Sequence, residues 1–304
     1  SILNWEDIIW IDNQEYLDNN NRNSFLKSKI PKDIREIWLC MPFAPIELNL
    51  RLLFYYANVY FFDDGLGSCV RPISYLDYIK KPSFIKKSLA LSYYKLKFWF
   101  SDLINLKINN LPSFGFKKEY LLFSTFIEKN KQNSKIVVVD WQYLKEIVSE
   151  ITVDRENLLI SPEKKKCLII GQFFSSNDST KRSDEQKKYT HVCEKMISLG
   201  YSVIWKEHPK NPDPFWDELK NDFGSNLYNL DDYYSFHWPI EVILNNFKID
   251  LCVSCTSTSL ITINRLFGAE ILSFSPRLIP ILKGSDREVA ILLSKRLHKS
   301  ELLY

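Results

Sequence analysis

"CLIIGQFFSSNDSTKRSDEQKKYTHVCEKMISLGYSVIWKEHPK", residues 167–210, reads as strand, helix, strand. "CLIIG" (167–171) is an apolar run closed by a glycine, the pattern of a strand buried on both faces. "DEQKKYTHVCEKMISLG" (184–200) spaces its apolar side chains as one face of a helix and ends on Gly200, and "YSVIWKE" (201–207) is strand-like again. The alternation continues through a helix in "DPFWDELKND", a strand in "SNLYNL" and a helix in "PIEVILNNF" with Pro239 in its first turn. It ends with a strand in "IDLCVS", a helix in "TSTSLITINRLFG" stopped by Gly268, and a strand in "AEILSFS". Such alternation predicts an α/β fold with a parallel sheet and helices on both of its faces.

The first half is less regular. "REIWLCM" (35–41), "ANVYFF" (57–62) and "KIVVVD" (135–140) are expected strands, with "IELNLRLLFYY" (46–56) as a crossover helix between the first two. A Lys- and aromatic-rich helical insertion is expected over about 72–130, including "SYYKLKFWF" (92–100). The polar "TVDRENLLISPEKKK" (152–166) reads as a linker, which divides the chain into domains 1–155 and 156–304. Two Rossmann-like domains facing across a cleft are the expected architecture, and 304 residues suffice for two cores.

Bulk properties exclude several classes. The 40 basic and 37 acidic side chains leave a formal charge of +3, so nothing drives the chain toward nucleic acid in general, and an anionic ligand must be held locally. The cysteines at 40, 69, 167, 193, 252 and 255 lack the spacing of a disulfide framework. Only Cys252 and Cys255 form C-x-x-C, and no second pair completes a zinc set. No apolar run approaches the roughly 18 residues of a membrane span. A cytoplasmic protein is therefore expected. Lysines mixed with aromatic residues in 80–100 and near the C-terminus suit peripheral contact with the inner face of the cytoplasmic membrane, and equally a solvated helix.

Ligands of open α/β sheets collect at the carboxyl ends of strands. Three polar groups fall at such ends. Asp63 and Asp64 follow "VYFF" and precede Gly65. Adjacent carboxylates raise one another's pKa, which suits one of them to accept a proton, although an acidic pair before glycine also serves a solvated turn. His208 and Pro209 follow "YSVIW"; proline biases His208 toward extended backbone at the sheet edge, with Lys206 and Lys210 near enough to attract an anion. "CVSCTSTSL" (252–260) runs from strand into a helix expected to begin near Thr256. Its hydroxyls are natural helix caps, and the same free amides can hold a phosphate without a P-loop lysine.

The order of "DDG", "HP" and "S-T" before a helix resembles the bacterial sialyltransferases of the glycosyltransferase-B type. "YFFDDGLGS" (60–68) is most similar to glycosyltransferase family 52, the lipooligosaccharide sialyltransferases, with the capsular polysialyltransferases more distant. "LIIGQ" and "WPIEVI" (238–243) fit the same pattern. The resemblance implies that Asp64 is the general base on the acceptor hydroxyl, with Asp63 and Gly65 beside it. It implies that His208 meets and protonates the phosphate of a CMP-sugar, that Ser257 and Thr258 bind that phosphate, and that Glu241 helps hold the ribose. Gln172, Lys206 and Pro209 complete the expected binding set. CMP-Neu5Ac is then the donor substrate, with no metal and no cofactor, and a terminal sugar, galactose for preference, of a surface glycan such as lipooligosaccharide is the acceptor. Another CMP-activated nonulosonic acid such as Kdo, and a non-catalytic glycan- or nucleotide-binding protein, are the alternatives. A homodimer is left open.

Overall fold

The computed structural model describes residues 22–31, 33–39, 50, 53, 57–62, 118–121, 136–151, 163–175, 179–209, 211–234, 238–298 and 301–303. These fall into two compact units divided between Val138 and Val139.

The first unit holds helix α1 (Arg22–Lys29) and four strands, β1 (Glu36–Leu39), β2 (Asn58–Phe62), β3 (Lys118–Leu121) and β4 (Ile136–Val138). They form one sheet in the order β1-β2-β3-β4, every pair parallel. The register sets Trp38 opposite Tyr60, whose rings stack at 4.6 Å, while the Tyr60 hydroxyl donates to Glu36 at 3.1 Å. Of the expected crossover helix only Leu50 and Leu53 are described, both helical. The expected helical insertion needs a correction, because β3 lies inside 72–130 and separates β2 from β4. "KEYL" escapes a reading by apolar runs because two of its four side chains are charged.

The second unit opens with helix α2 (Trp141–Glu150), capped by Asp140, whose carboxylate accepts the Gln142 N–H at 2.9 Å. This helix packs on the later helices of the same unit, and the Val148 carbonyl accepts a hydrogen bond from the Asn245 amide. The division therefore falls ahead of the 155/156 boundary expected from the polar linker. There follow β5 (Lys166–Ile170), α3 (Arg182–Ser198), β6 (Ser202–Lys206), α4 (Trp216–Phe223), β7 (Leu227–Asn229), α5 (Ile240–Ile243), β8 (Leu251–Ser254), α6 (Ser259–Phe267), β9 (Glu270–Ser273), α7 (Ser275–Leu278) and α8 (Gly284–Arg296). The sheet order is β7-β6-β5-β8-β9, all parallel, the doubly wound pattern.

Strands β5, β6 and β8 are buried along nearly their whole length, which is why their sequences are apolar runs rather than alternations. Between sheet and helices lies a core of Trp205, Tyr189, Phe215 and Phe274, none of them measurably exposed. Tyr189 centres it, with the Trp205 ring at 5.0 Å and the Phe274 ring at 5.6 Å, both edge-on. Cys167, Cys193, Cys252 and Cys255 are buried free thiols, and burial pushes all four upward from the ordinary thiol value. They serve this core as small apolar side chains. Gly268 ends α6 in the left-handed region at φ 71°, its N–H bonded to the Asn264 carbonyl.

Candidate functional site

The doubly wound order places its switch point between β5 and β8, where successive crossovers depart in opposite directions. Register aligns Ile170 of β5 with Lys206 of β6 and with Ser254 of β8. The chain therefore leaves three adjacent strands at one level, and segments 36 and 84 residues apart in sequence meet at a single edge. The Ser254 hydroxyl ties two of these ends together by donating to the Ile170 carbonyl at 2.8 Å.

A pocket of about 400 Å³ opens at this edge, within the range of small-molecule sites. Gln172, Lys206, His208, Pro209, Glu241, Ser257 and Thr258 all line it. Seven residues singled out in the sequence thus converge, from four separate segments. Asp63, Asp64 and Gly65, like Lys210, lie outside the described residues.

Each wall has an identifiable support. After β5, Gly171 passes so close to β6 that an added Cβ would lie 2.9 Å from the Trp205 ring, so only glycine fits. The Gln172 N–H donates to the Tyr189 hydroxyl at 2.7 Å, and the N–H groups of Phe174 and Ser175 donate to the Glu185 carboxylate at 3.2 and 2.8 Å. Glu185 is fully buried, and burial raises its carboxyl above the ordinary value despite those donors. After β6, Glu207 precedes His208, and the His208 carbonyl accepts the Asn211 N–H at 2.9 Å in a turn that contains Pro209. The Phe173 and His208 rings lie 4.2 Å apart, which joins the two walls.

The third wall departs from expectation in one respect. Helix α6 begins at Ser259, three residues later than Thr256, which leaves Thr256, Ser257 and Thr258 in the connecting loop. Local hydrogen bonds account for this: the Thr256 hydroxyl donates to Gln172 Oε1 at 3.3 Å, and the Ser259 N–H donates to the Ser257 hydroxyl at 3.3 Å. Ser257 and Thr258 consequently face the pocket just ahead of a helix whose dipole favours an anion there. The fourth wall is the short helix α5, whose Glu241 accepts a hydrogen bond from the Thr262 hydroxyl of α6. That contact fixes the carboxylate at the pocket's side.

Lys206 plays a different part from the anion-attracting one expected. It is 4% exposed, and its ammonium pairs with Asp231 Oδ1 at 2.5 Å, so its charge is met within the protein. Two residues of this site were not named among the expected site residues, although Trp238 opens the quoted "WPIEVI". Trp238, 39% exposed, contributes an indole to the pocket wall ahead of Pro239. Glu207 is a buried acid between Lys206 and His208, visible only as the one acidic residue in "KEHPK".

Comparison with known proteins adds kinship to this geometry. The model of the alpha-2,8-polysialyltransferase (POLYST) family matches residues 3–273. Of the two sialyltransferase groups the motifs resemble, this is the one placed as the more distant. No curated protein matches with significance. A solved structure, the glycotransferase of kitacinnamycin, is similar over 92% of this chain and 67% of its own, at 10% identity and a TM-score of 0.51. At that identity the likeness shows the fold alone, an α/β fold of the glycosyltransferase-B type with parallel sheets.

Proposed function

The chain belongs to the alpha-2,8-polysialyltransferase family, and from that premise we propose that it transfers sialic acid from CMP-Neu5Ac, with inversion, to a terminal sugar of a bacterial surface glycan. The observation that carries this reading is the convergence of His208, Glu241, Ser257 and Thr258 on one pocket at the switch point. Hydroxyls, amides ahead of a helix and an imidazole are donors suited to one phosphate. The carboxylate of Glu241 on a neighbouring wall suits the hydroxyls of a ribose, as an acceptor-only group should.

The chemistry follows from the leaving group. Breaking the bond at a tertiary anomeric carbon gives a transition state of oxocarbenium character, and the departing CMP is a phosphate monoester. One proton donor and a few hydrogen bonds stabilise that departure, and His208 supplies the proton. The acceptor hydroxyl loses its proton to Asp64, an assignment that rests on the family resemblance of "DDG". Lys206 holds the end of β6 to Asp231 and shapes this wall without contributing net charge.

Galactose is one acceptor to test, and the family's alpha-2,8 activity favours terminal sialic acid as another. The reading is tested by incubating the protein with CMP-Neu5Ac and a panel of galactosides and sialosides, with product detected by mass. Turnover of CMP-Kdo with silence on CMP-Neu5Ac would replace the donor, and CMP binding without hydrolysis or transfer would make the chain a binding protein. The double variant Ser257→Ala, Thr258→Ala should weaken CMP in calorimetry, since hydrogen bonds to a charged group contribute about 1.5–3 kcal/mol each. Unchanged affinity would place the phosphate elsewhere. No helix among the described residues is long and apolar enough to cross a membrane.

A further inference from the structure

We propose that Glu207 is the positioning residue of this site, holding the segment 208–215 so that the imidazole of His208 faces the pocket. This deepens the proposed function and rests on it. Glu207 is 8% exposed, yet its carboxylate meets four donors. Oε1 accepts the His208 N–H at 3.3 Å and the Asn211 side-chain amide at 3.0 Å. Oε2 accepts the Trp205 indole N–H at 3.1 Å and the Phe215 N–H at 2.9 Å. The start, middle and end of the segment are thus tied to one group, and that group is tied through Trp205 to the centre of the core.

The geometry asks for an acid. All four contacts are donors, and a carboxylate is acceptor-only at all of its lone pairs, whereas an amide of the same size turns an NH₂ toward two of them. Burying an ionised group is costly unless hydrogen bonds compensate it, and here the four donors do so only while the segment 208–215 keeps this path. Burial also lifts the Glu207 carboxyl above its ordinary value, while the four donors work against that rise. The backbone is fixed as well: the Glu207 N–H points to Asp231 Oδ2 at 3.4 Å, the same carboxylate that pairs with Lys206. Even the missing Cβ of Gly171 belongs to this arrangement, since it would stand 3.1 Å from Glu207 Oε1. Glu185 serves the segment 172–175 in the same manner, through the Phe174 and Ser175 amides.

The test compares wild type with Glu207→Gln and Asn211→Ala in the full chain, by histidine side-chain NMR without ligand and by steady-state transfer from CMP-Neu5Ac. The four histidine signals are assigned with the help of His208→Ala. In Glu207→Gln the His208 signal should move while the other three stay. With positioning lost, kcat should fall about 10²-fold and the donor KM should rise by no more than about tenfold, since a displaced imidazole weakens its contact with the phosphate but costs the transition state more. Asn211→Ala removes one donor from the half-buried middle of the segment and should show the same pattern more weakly; it carries the test if Glu207→Gln does not fold. An unmoved His208 signal, or an unchanged kcat, in the variant that folds would overturn the proposal. Absence of transfer by the wild-type chain from any CMP-sugar would instead count against the proposed function, leaving the NMR comparison to decide the role of Glu207.

Discussion

His208→Ala lowers transfer by about 10²- to 10⁴-fold, the range typical of acid–base groups, and weakens CMP at the same time. Both effects are expected because the imidazole lines the pocket beside Ser257 and Thr258, where it can touch the phosphate before and during bond cleavage. The two readouts separate its roles. Loss of a hydrogen bond to a charged phosphate alone amounts to about 1.5–3 kcal/mol, or roughly 10- to 100-fold in affinity. Any fall in kcat beyond that belongs to proton transfer. The packing of the His208 ring against Phe173 at 4.2 Å means that alanine also leaves a gap, so His208→Gln is the companion variant, filling space with a group that cannot deliver a proton at neutral pH. If His208→Gln transfers as fast as wild type, the histidine is not the acid. If CMP affinity alone falls in both variants, it only binds.

The parts of this site that were legible in the sequence are those set by short-range physics. Buried parallel strands must be apolar, so β5, β6 and β8 announce themselves, and the residues that follow them must then meet at one edge. That is how His208, Ser257 and Thr258 could be gathered from positions as much as 50 residues apart, whereas Glu241, on a helix between β7 and β8, came only from the family resemblance of "WPIEVI". Long-range pairing was not legible. Nothing near Lys206 reveals that Asp231 takes up its charge, and nothing near Glu207 reveals the indole, amide and backbone donors that converge on it. Helix limits were also misjudged. "PIEVILNNF" suggests a longer helix than the four residues of α5, but past Ile243 the backbone tightens to i→i−3 bonds, the Asn245 N–H to the Val242 carbonyl at 3.3 Å and the Asn246 N–H to the Ile243 carbonyl at 3.0 Å. In the first unit β3 was missed because "KEYL" resembles a surface segment until its neighbours on both sides are known.

Asp64→Ala abolishes transfer and leaves CMP affinity nearly unchanged. The expectation comes from how the residues are distributed along the chain: the pocket-lining residues described above all belong to the second unit, whereas Asp64 follows β2 of the first sheet by two residues. A base that acts on the acceptor hydroxyl contributes to the transition state and not to nucleotide binding, so its loss should appear in kcat and not in the CMP dissociation constant. Asp63→Asn should be milder, because a neighbouring carboxylate tunes the proton affinity of its partner by repulsion without accepting the proton itself. Removing that repulsion should lower the pKa of Asp64 and shift the acidic limb of the rate profile toward lower pH, which is a sign as well as a size to check. Measuring the pH dependence of transfer for Asp63→Asn, beside the residual rates of Asp64→Ala and Asp64→Asn, separates the two acids. Should Asp64→Asn stay active while Asp63→Asn is dead, the base is Asp63, and the tuning role passes to Asp64.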